Sequence, residues 1–389
     1  MSDAAVGERA RESCDVLIVG GGPAGSTCAR QLRAAGLDVL VMDRQQFPRD
    51  KVCAGWITPA VVETLGLDIE DYRRLHVLQP ITGFLTGVEG GRPLFTAYRE
   101  PISYGIRRRE FDHYLLERAG ARLTLGESFD SMRRAGRHWI INDRIKTPLV
   151  IGAGGHFCPV ARQLGARPGR GERAVTAQEI EFEMDAEQLA NCPVKPDTPE
   201  LYFCADMKGY GWIFRKGAYL NIGLGREGAH QLSRQVAAFR DRLIAEGRIS
   251  ARTPMDFHGH AYLLYTSGRR RLIDDGVMLI GDAAGLAYPQ SGEGIRPAVE
   301  SGLMAAAAVV AAKGHYDSAT LAPYGVALTQ RFGQRDESLR TAEEGVVLAG
   351  RWRRTLGAWL LRSRWFSQHV VLDRWFLHTQ QKALTVEAI

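Results

Sequence analysis

The feature that most constrains this chain is a glycine-rich turn near its start, Asp15-Val-Leu-Ile-Val-Gly-Gly-Gly-Pro-Ala-Gly-Ser-Thr27. Four apolar residues, Val16 to Val19, run directly into it, and Gly20, Gly22 and Gly25 fit the spacing G-x-G-x-x-G. An Ala/Leu-rich segment, Ala29 to Ala35, follows with helical composition, and a second apolar run, Val39 to Met42, ends at Asp43. Strand, tight turn, helix, strand and acid form the context in which this motif binds a dinucleotide. Gly20 permits the sharp turn, Gly22 lets the backbone approach a pyrophosphate, and Gly25 lets the helix pack close to the strand. Pro23 and Ala24 open the helix, whose free N–H groups and positive dipole end favour phosphate. Asp43, 18 residues past Gly25 and followed by Arg44, is placed to accept ribose hydroxyls. The expected fold class is therefore α/β with a Rossmann-like nucleotide site. The motif alone does not separate FAD from NAD.

At 389 residues the chain is long enough for more than one lobe. A formal charge of +6 makes it mildly basic, which suits anionic ligands or an anionic membrane surface. Basic runs at Arg107–Arg109 and Arg269–Arg271 have no helix-turn-helix or zinc-finger companion, so no nucleic-acid partner is expected. None of the six cysteines forms C-x-x-C, and the polar stretch Met1–Glu12 is unlike a signal peptide. Free thiols in a reducing, cytoplasmic setting are the expectation. The longest apolar run, Gly302 to Ala312, is too short to span a bilayer. Asp256, His258 and His260 alternate, but no further ligand accompanies them, so no metal is expected. G-x-S-x-G, H-E-x-x-H and Walker motifs are absent.

Further along, Gln46 to Ile57 reads as a loop marked by Pro48 and Gly55, and residues 75–105 alternate as strands do. Arg107 to Ala119 has the spacing of an amphipathic helix, with Phe111, Leu115 and Ala119 four apart. Leu149 to Arg162 repeats the strand-to-glycine turn. Residues 170–265 are dominated by strand-like runs interrupted by one helix, Gln231 to Glu246, and predict an inserted antiparallel sheet. Within it lie Gly209-Tyr-Gly-Trp-Ile-Phe-Arg-Lys-Gly217 and Leu220-Asn-Ile-Gly-Leu-Gly225. Tyr210, Trp212 and Phe214 alternate there and share one strand face. Gly276-Val-Met-Leu-Ile-Gly-Asp-Ala-Ala-Gly285 and Ser291-Gly-Glu-Gly-Ile295 then lead an Ala-rich helix. In the tail, Trp352, Leu356, Trp359, Phe366 and Val370 keep helical spacing, with arginines mostly elsewhere on the wheel. Such a helix packs over the sheet or lies on a membrane surface.

These blocks resemble the geranylgeranyl reductase family within the FAD-dependent, p-hydroxybenzoate hydroxylase-like monooxygenase and halogenase superfamily. Asp43, Pro48, Arg49, Lys51, Cys53 and Gly55 match its acid and P-R-x-K-x-C-G-G pattern, with Ala54 in place of the first glycine. Arg108 takes the arginine position of R-x-x-F-D-x-x-L. Tyr210 to Gly225 resembles Y-x-W-x-F-P-K-G…N-V-G-x-G, with Arg215 replacing proline. Gly281 to Ile295 resembles G-D-A-A-G…G-E-G-I, and the second glycine turn departs from pattern at Gly154 and Cys158. The resemblance covers Asp15 to about Ser338.

It implies a discontinuous FAD-binding domain (13–75, 104–170 and 270–315), a substrate-binding antiparallel sheet domain (76–103 and 171–269) and a helical C-terminal region (316–389). Gly20, Gly22, Pro23, Ala24, Gly25, Asp43 and Arg44 would hold the ADP end of FAD. Gly281, Asp282 and Ala283 would face the ribityl chain. Gly292, Glu293, Gly294 and Ile295 would aim a helix N-terminus at the ring. Lys51, Val52, Cys53, Ala54, Gly55 and Arg108 would close the other side. The implied reaction is reduction of carbon–carbon double bonds in a prenyl chain or related hydrophobic substrate by hydride from reduced flavin N5. Cys53 is its candidate catalytic residue, and Tyr210 and Trp212 would shape the pocket. The alternative on the same scaffold is a monooxygenase or halogenase acting through an oxygenated flavin. A third reading is a flavoprotein that only binds lipid or a partner. Electrons would come from NADPH or from a separate electron-donor protein, and residues 351–376 would make any peripheral membrane contact.

Overall fold

The computed structural model describes residues 12–168, 172, 174–228, 231–265, 270–334 and 360–385. The apolar runs become a six-stranded sheet in the order Ile273–Asp274, Val277–Leu279, Leu149–Gly152, Val16–Val19, Val39–Asp43 and Arg122–Leu125. All neighbours are parallel except the first pair. Its central strands are buried on both faces, which is why they read as unbroken apolar runs. Three adjacent parallel strands end in the three glycine turns at Gly20, Gly152 and Gly281, so all three turns emerge along one edge of the sheet. Gly20 has φ +119°, and a Cβ there would overlap the Ala153 carbonyl on the next turn.

The helix Pro23–Ala34 lies against the helix Ile295–Ala311. Gly302 makes the approach close, since a Cβ there would come 2.6 Å from the Ala24 oxygen. Ser301 Oγ accepts the Gly281 N–H at 3.0 Å, so the late helix also holds the turn that precedes it.

Residues 174–263 form five strands of a seven-stranded sheet in the order His258–Leu263, Ala174–Glu183, Tyr219–Glu227, Gly209–Lys216, Glu200–Phe203, Gly83–Val88 and Leu94–Ala97. The sheet is not wholly antiparallel as expected: Glu200–Phe203 pairs parallel with Gly83–Val88, because the earlier segment joins it as a separate addition. The remaining strands of the 75–105 stretch go elsewhere. Leu78–Ile81 and Ser103–Ile106 form a three-stranded sheet with Trp56–Ile57. The helix Leu232–Ala245 covers the outer face of the large sheet with Val236, Phe239 and Leu243. The inner face, carrying Tyr210, Trp212 and Phe214, packs with Trp56, Phe84, Leu361, Val371, Leu372 and Phe376.

The tail therefore lies over the sheet where it is described: Arg364–Phe366 continues into a π-helical segment, Ser367–Phe376. Trp352, Leu356 and Trp359, with Arg351, Arg353 and Arg354, fall outside the described residues. Among the described residues no helix is long and apolar enough to cross a membrane. All six cysteines are free thiols. Near the N-terminus, Glu12–Ser13 pairs with Ile145–Lys146 as a short strand.

Candidate functional site

At the first turn, the helix Pro23–Ala34 starts without a side-chain cap: Gly22 is the N-cap and Pro23 follows it. Its first N–H groups are free for an anion. Beside Gly22 stands Arg49, whose Nη2 is the nearest atom, 3.5 Å from where a Cβ would sit. Arg49 Nη2 pairs with Asp112 Oδ2 at 3.2 Å, while its Nη1 is buried with no hydrogen-bond partner. A buried, unpartnered guanidinium N–H beside an uncapped helix end is a strong demand for an anion. Asp43 is half-buried and accepts the Gly21 and Gln45 N–H groups, both at 2.9 Å; Arg44 beside it is exposed. This donor set fits the pyrophosphate and ribose of FAD. Arg49 had no cofactor role in the sequence reading, and its position in the P-R-x-K block was the available signal.

The second cluster gathers at the Gly281 turn and the start of the late helix. Gly294 is the helix N-cap, and a Cβ there would lie 3.1 Å from Asp282 Oδ1, so the carboxylate reaches the helix end only because position 294 is glycine. Asp282 Oδ2 is 3.6 Å from His260 Nε2, and Lys51 Nζ stands 2.7 Å from that same nitrogen. Loop, sheet and glycine turn thus meet in the row Lys51, His260, Asp282. Burial lowers Lys51 to about 8, against the pull of Asp282. Burial pushes Asp282 up, but His260, Lys51 and Arg108 outweigh it and hold the carboxyl below its ordinary value. Beneath the turn, Arg270 pairs with Glu172 at 2.8 Å and donates to the Ala283 carbonyl at 3.0 Å. Glu293 accepts the Arg296 N–H at 2.7 Å, and burial raises its carboxyl to about 7. Gly292, with φ +70°, leaves room for the Tyr262 hydroxyl, which a Cβ would overlap. Ile295 begins the helix and is buried.

The Cys53 loop closes the third side. Lys51, Val52, Cys53 and Ala54 are half-buried, and Gly55 is buried with φ +69° against the Ile106 carbonyl. Arg108 makes a bidentate pair with Asp112, both contacts at 2.7 Å. The Gly55 N–H points to Cys53 Sγ at 3.4 Å. Asn221 Nδ2 donates to the Cys53 carbonyl at 3.1 Å.

The aromatic row divides. Tyr210 is half-buried at the edge of the wall and donates its hydroxyl to the Ser291 carbonyl at 2.6 Å. Trp212 is buried and donates Nε1 to Asn221 Oδ1 at 2.7 Å, so it meets the site through Asn221. Phe214 stacks on Trp56 at 5.0 Å within the core. His260, Tyr262 and Asn221 also went unassigned. The alternation of Asp256, His258 and His260 suggests an exposed polar row without a metal, whereas His260 meets Lys51 and Asp282 from two distant segments.

The pattern for FAD-dependent oxidoreductases matches residues 15–100. A geranylgeranyl bacteriochlorophyll reductase-like protein from Thermoplasma acidophilum superposes with a TM-score of 0.69 at 22% identity, covering 90% of this chain and 88% of that one. A halogenase solved in complex with FAD superposes with a TM-score of 0.64 at 18% identity, covering 94% and 85%. At those identities the likeness concerns the fold. In sequence, digeranylgeranylglycerophospholipid reductase of Methanocaldococcus jannaschii is 28% identical over 305 residues, 75% of each chain. Menaquinone reductase of Mycobacterium tuberculosis is 31% identical over 324 residues, 76% of each chain. With the glycine turns, the Asp282 row and the Cys53 loop gathered on one side of the parallel sheet, the chain belongs to the geranylgeranyl reductase family of FAD-dependent oxidoreductases.

Proposed function

We propose that this enzyme reduces carbon–carbon double bonds in a prenyl chain or related hydrophobic substrate. The observation that carries the reading is the way one face of the seven-stranded sheet meets both FAD blocks. Tyr210 bonds Ser291, His260 stands between Lys51 and Asp282, and Asn221 holds the Cys53 carbonyl. An apolar, aromatic surface abutting the reactive end of a flavin suits an isoprenoid better than a charged substrate. The names of the relatives point the same way. In this reading the parallel sheet and its helices form the cofactor domain, and the large sheet forms the substrate domain. Gly20, Gly22, Gly25, Asp43 and Arg49 hold the ADP end. Asp282 and the helix N-terminus at Gly294 orient the other end. When bound and reduced, FAD supplies hydride. Cys53 stands by the reacting carbons, Tyr210 lines the pocket, and the buried tail around Phe376 excludes water.

The test is turnover of the FAD-loaded protein, reduced without oxygen and then given a prenyl lipid. The expected product is heavier by two hydrogens for each double bond. A product formed only with oxygen, heavier by one oxygen or carrying a halogen, would establish the monooxygenase or halogenase alternative instead. No product under either condition rejects both.

A further inference from the structure

Under the Cys53 loop, one face of the strand Tyr219–Glu227 carries Asn221, Gly223 and Gly225 at alternate positions. On the neighbouring strand Trp212 stands opposite Gly223, and Tyr210 opposite Gly225. A Cβ at Gly223 would overlap the Trp212 ring, and one at Gly225 would stand 3.6 Å from it. The two glycines thus form a flat bed for the indole. It lies along the strand with Nε1 directed at Asn221 Oδ1, 2.7 Å away.

Asn221 is buried, and its amide has one arrangement that satisfies its neighbours. The indole N–H only donates, so Oδ1 faces it and Nδ2 turns to the other side. There Nδ2 donates to the Cys53 carbonyl at 3.1 Å and to Glu179 Oε2 at 2.7 Å, with Glu181 Oε2 further off at 3.3 Å. Both polar atoms of the side chain are therefore engaged. The pattern of asparagine and two alternate glycines aims an amide at the backbone of the Cys53 loop. Two residues on, the loop is held again. The Gly55 carbonyl accepts the Ile106 N–H at 2.8 Å, and a Cβ at Gly55 would overlap the Ile106 oxygen and Lys216 Nζ. Lys216 Nζ itself donates to the Ile106 carbonyl at 2.9 Å and to Glu181 Oε2 at 2.6 Å. Packing against Ile106 and Lys216 holds the Gly55 end, and Asn221 holds the Cys53 end.

We propose that Asn221, anchored by Trp212, is the positioning residue of the Cys53 loop. Its amide fixes the Cys53 carbonyl, and with it the point from which the Cys53 side chain projects. Trp212 serves the site through this amide and not as a wall of the pocket. The effect on turnover rests on the reading of Cys53 above. The effect on the loop needs no substrate, so the two fail separately.

The test is hydrogen exchange of the FAD-loaded protein, read by mass spectrometry on peptides covering residues 51–56 and 209–227. Asn221→Leu keeps a branched side chain and removes the amide. It should speed exchange in 51–56 about tenfold, as the loss of one or two hydrogen bonds would, while the paired strands of 209–227 exchange as in the wild type. Trp212→Phe keeps a ring on the glycine bed and removes the N–H. It should speed loop exchange about threefold alone and add nothing in the double variant, because both act through one amide. With a prenyl lipid as substrate, each variant should lower kcat about as much as it frees the loop and leave KM within about twofold. Loop exchange unchanged in both variants overturns the proposal. So does exchange that rises equally in loop and strands, which would make Asn221 a residue of the sheet alone. A freed loop with wild-type kcat overturns its link to the reaction. If Asn221→Leu does not fold, Trp212→Phe decides by the same readings.

Discussion

Arg49 shows how much one residue can carry. Its Nη2 is committed to Asp112, and its buried Nη1 has no partner. Native proteins leave few buried donors in that state, and each calls for an explanation; beside an uncapped helix N-terminus, a bound anion supplies one. A charge-assisted bond to pyrophosphate contributes about 1.5–3 kcal/mol. Arg49→Ala should therefore raise the Kd for FAD about tenfold to a hundredfold. Arg44→Ala, at an exposed position, should change it less than about threefold. Titration of apoprotein by flavin fluorescence quenching measures both, and equal affinity in the two variants would remove Arg49 from the cofactor site. In the sequence Arg49 is one letter of a matched block, whereas its orphaned nitrogen exists only after folding brings Asp112 and Gly22 beside it. His260 teaches the same lesson. The alternation with His258 was visible, but a strand does not announce that one histidine meets Lys51 and Asp282 while the other stays exposed.

Among the elements, the pair Pro23–Ala34 and Ile295–Ala311 joins the two glycine blocks. The glycine spacing was legible because each glycine answers to a local close approach: Gly25 to the Gly20 carbonyl, Gly302 to Ala24 and Cys28. What the spacing could not reveal was that the late serine–glycine pair divides its work, Ser301 holding the Gly281 turn and Gly302 admitting the first helix. A side chain at Gly302 would have to displace Ala24 backbone at 2.6 Å, and backbone in a helix does not yield as a rotamer does. Gly302→Val should cost about 1–3 kcal/mol of stability, the range for overpacking. Because both helix N-termini shift with the interface, it should also weaken FAD binding. Thermal melting of apoprotein and FAD titration report the two effects. A variant that melts lower but binds FAD normally would mean that the helix ends move independently of their contact.

For the whole molecule, the alternation of apolar runs and glycine turns was enough to anticipate a parallel sheet carrying an inserted one. The assignment of strands in residues 75–105 to two sheets was not legible, because period-2 patterning names a strand but not its neighbour. The tail was ambiguous for the same reason, since an amphipathic pattern does not say what covers its apolar side. For the described part of the tail, Leu361 and Val371 to Leu377 pack on the aromatic face of the sheet, and a buried ionic network fastens the segment beyond it. Arg296 pairs with Glu300 at 2.8 Å and donates to the carbonyls of Gln381 and Lys382 at 2.8 and 2.9 Å. Arg331 holds Glu300 and the Lys382 carbonyl from the other side, and Tyr288 bonds Gln381 at 3.0 Å. Arg296→Met removes the contacts to the His378, Gln381 and Lys382 carbonyls yet leaves Glu300 paired with Arg331, so the tail should loosen while the rest stays folded. Removing one member of such a network costs about 3 kcal/mol at most here, since the partner charge is not stranded. Trypsin should then cut after Arg374 about tenfold faster than in wild type, with FAD retained, because cleavage follows the population of the opened tail. Unchanged cleavage would show that the apolar seat of Val371, Leu372 and Phe376 holds the tail without the arginine, and that the network serves the late helix alone.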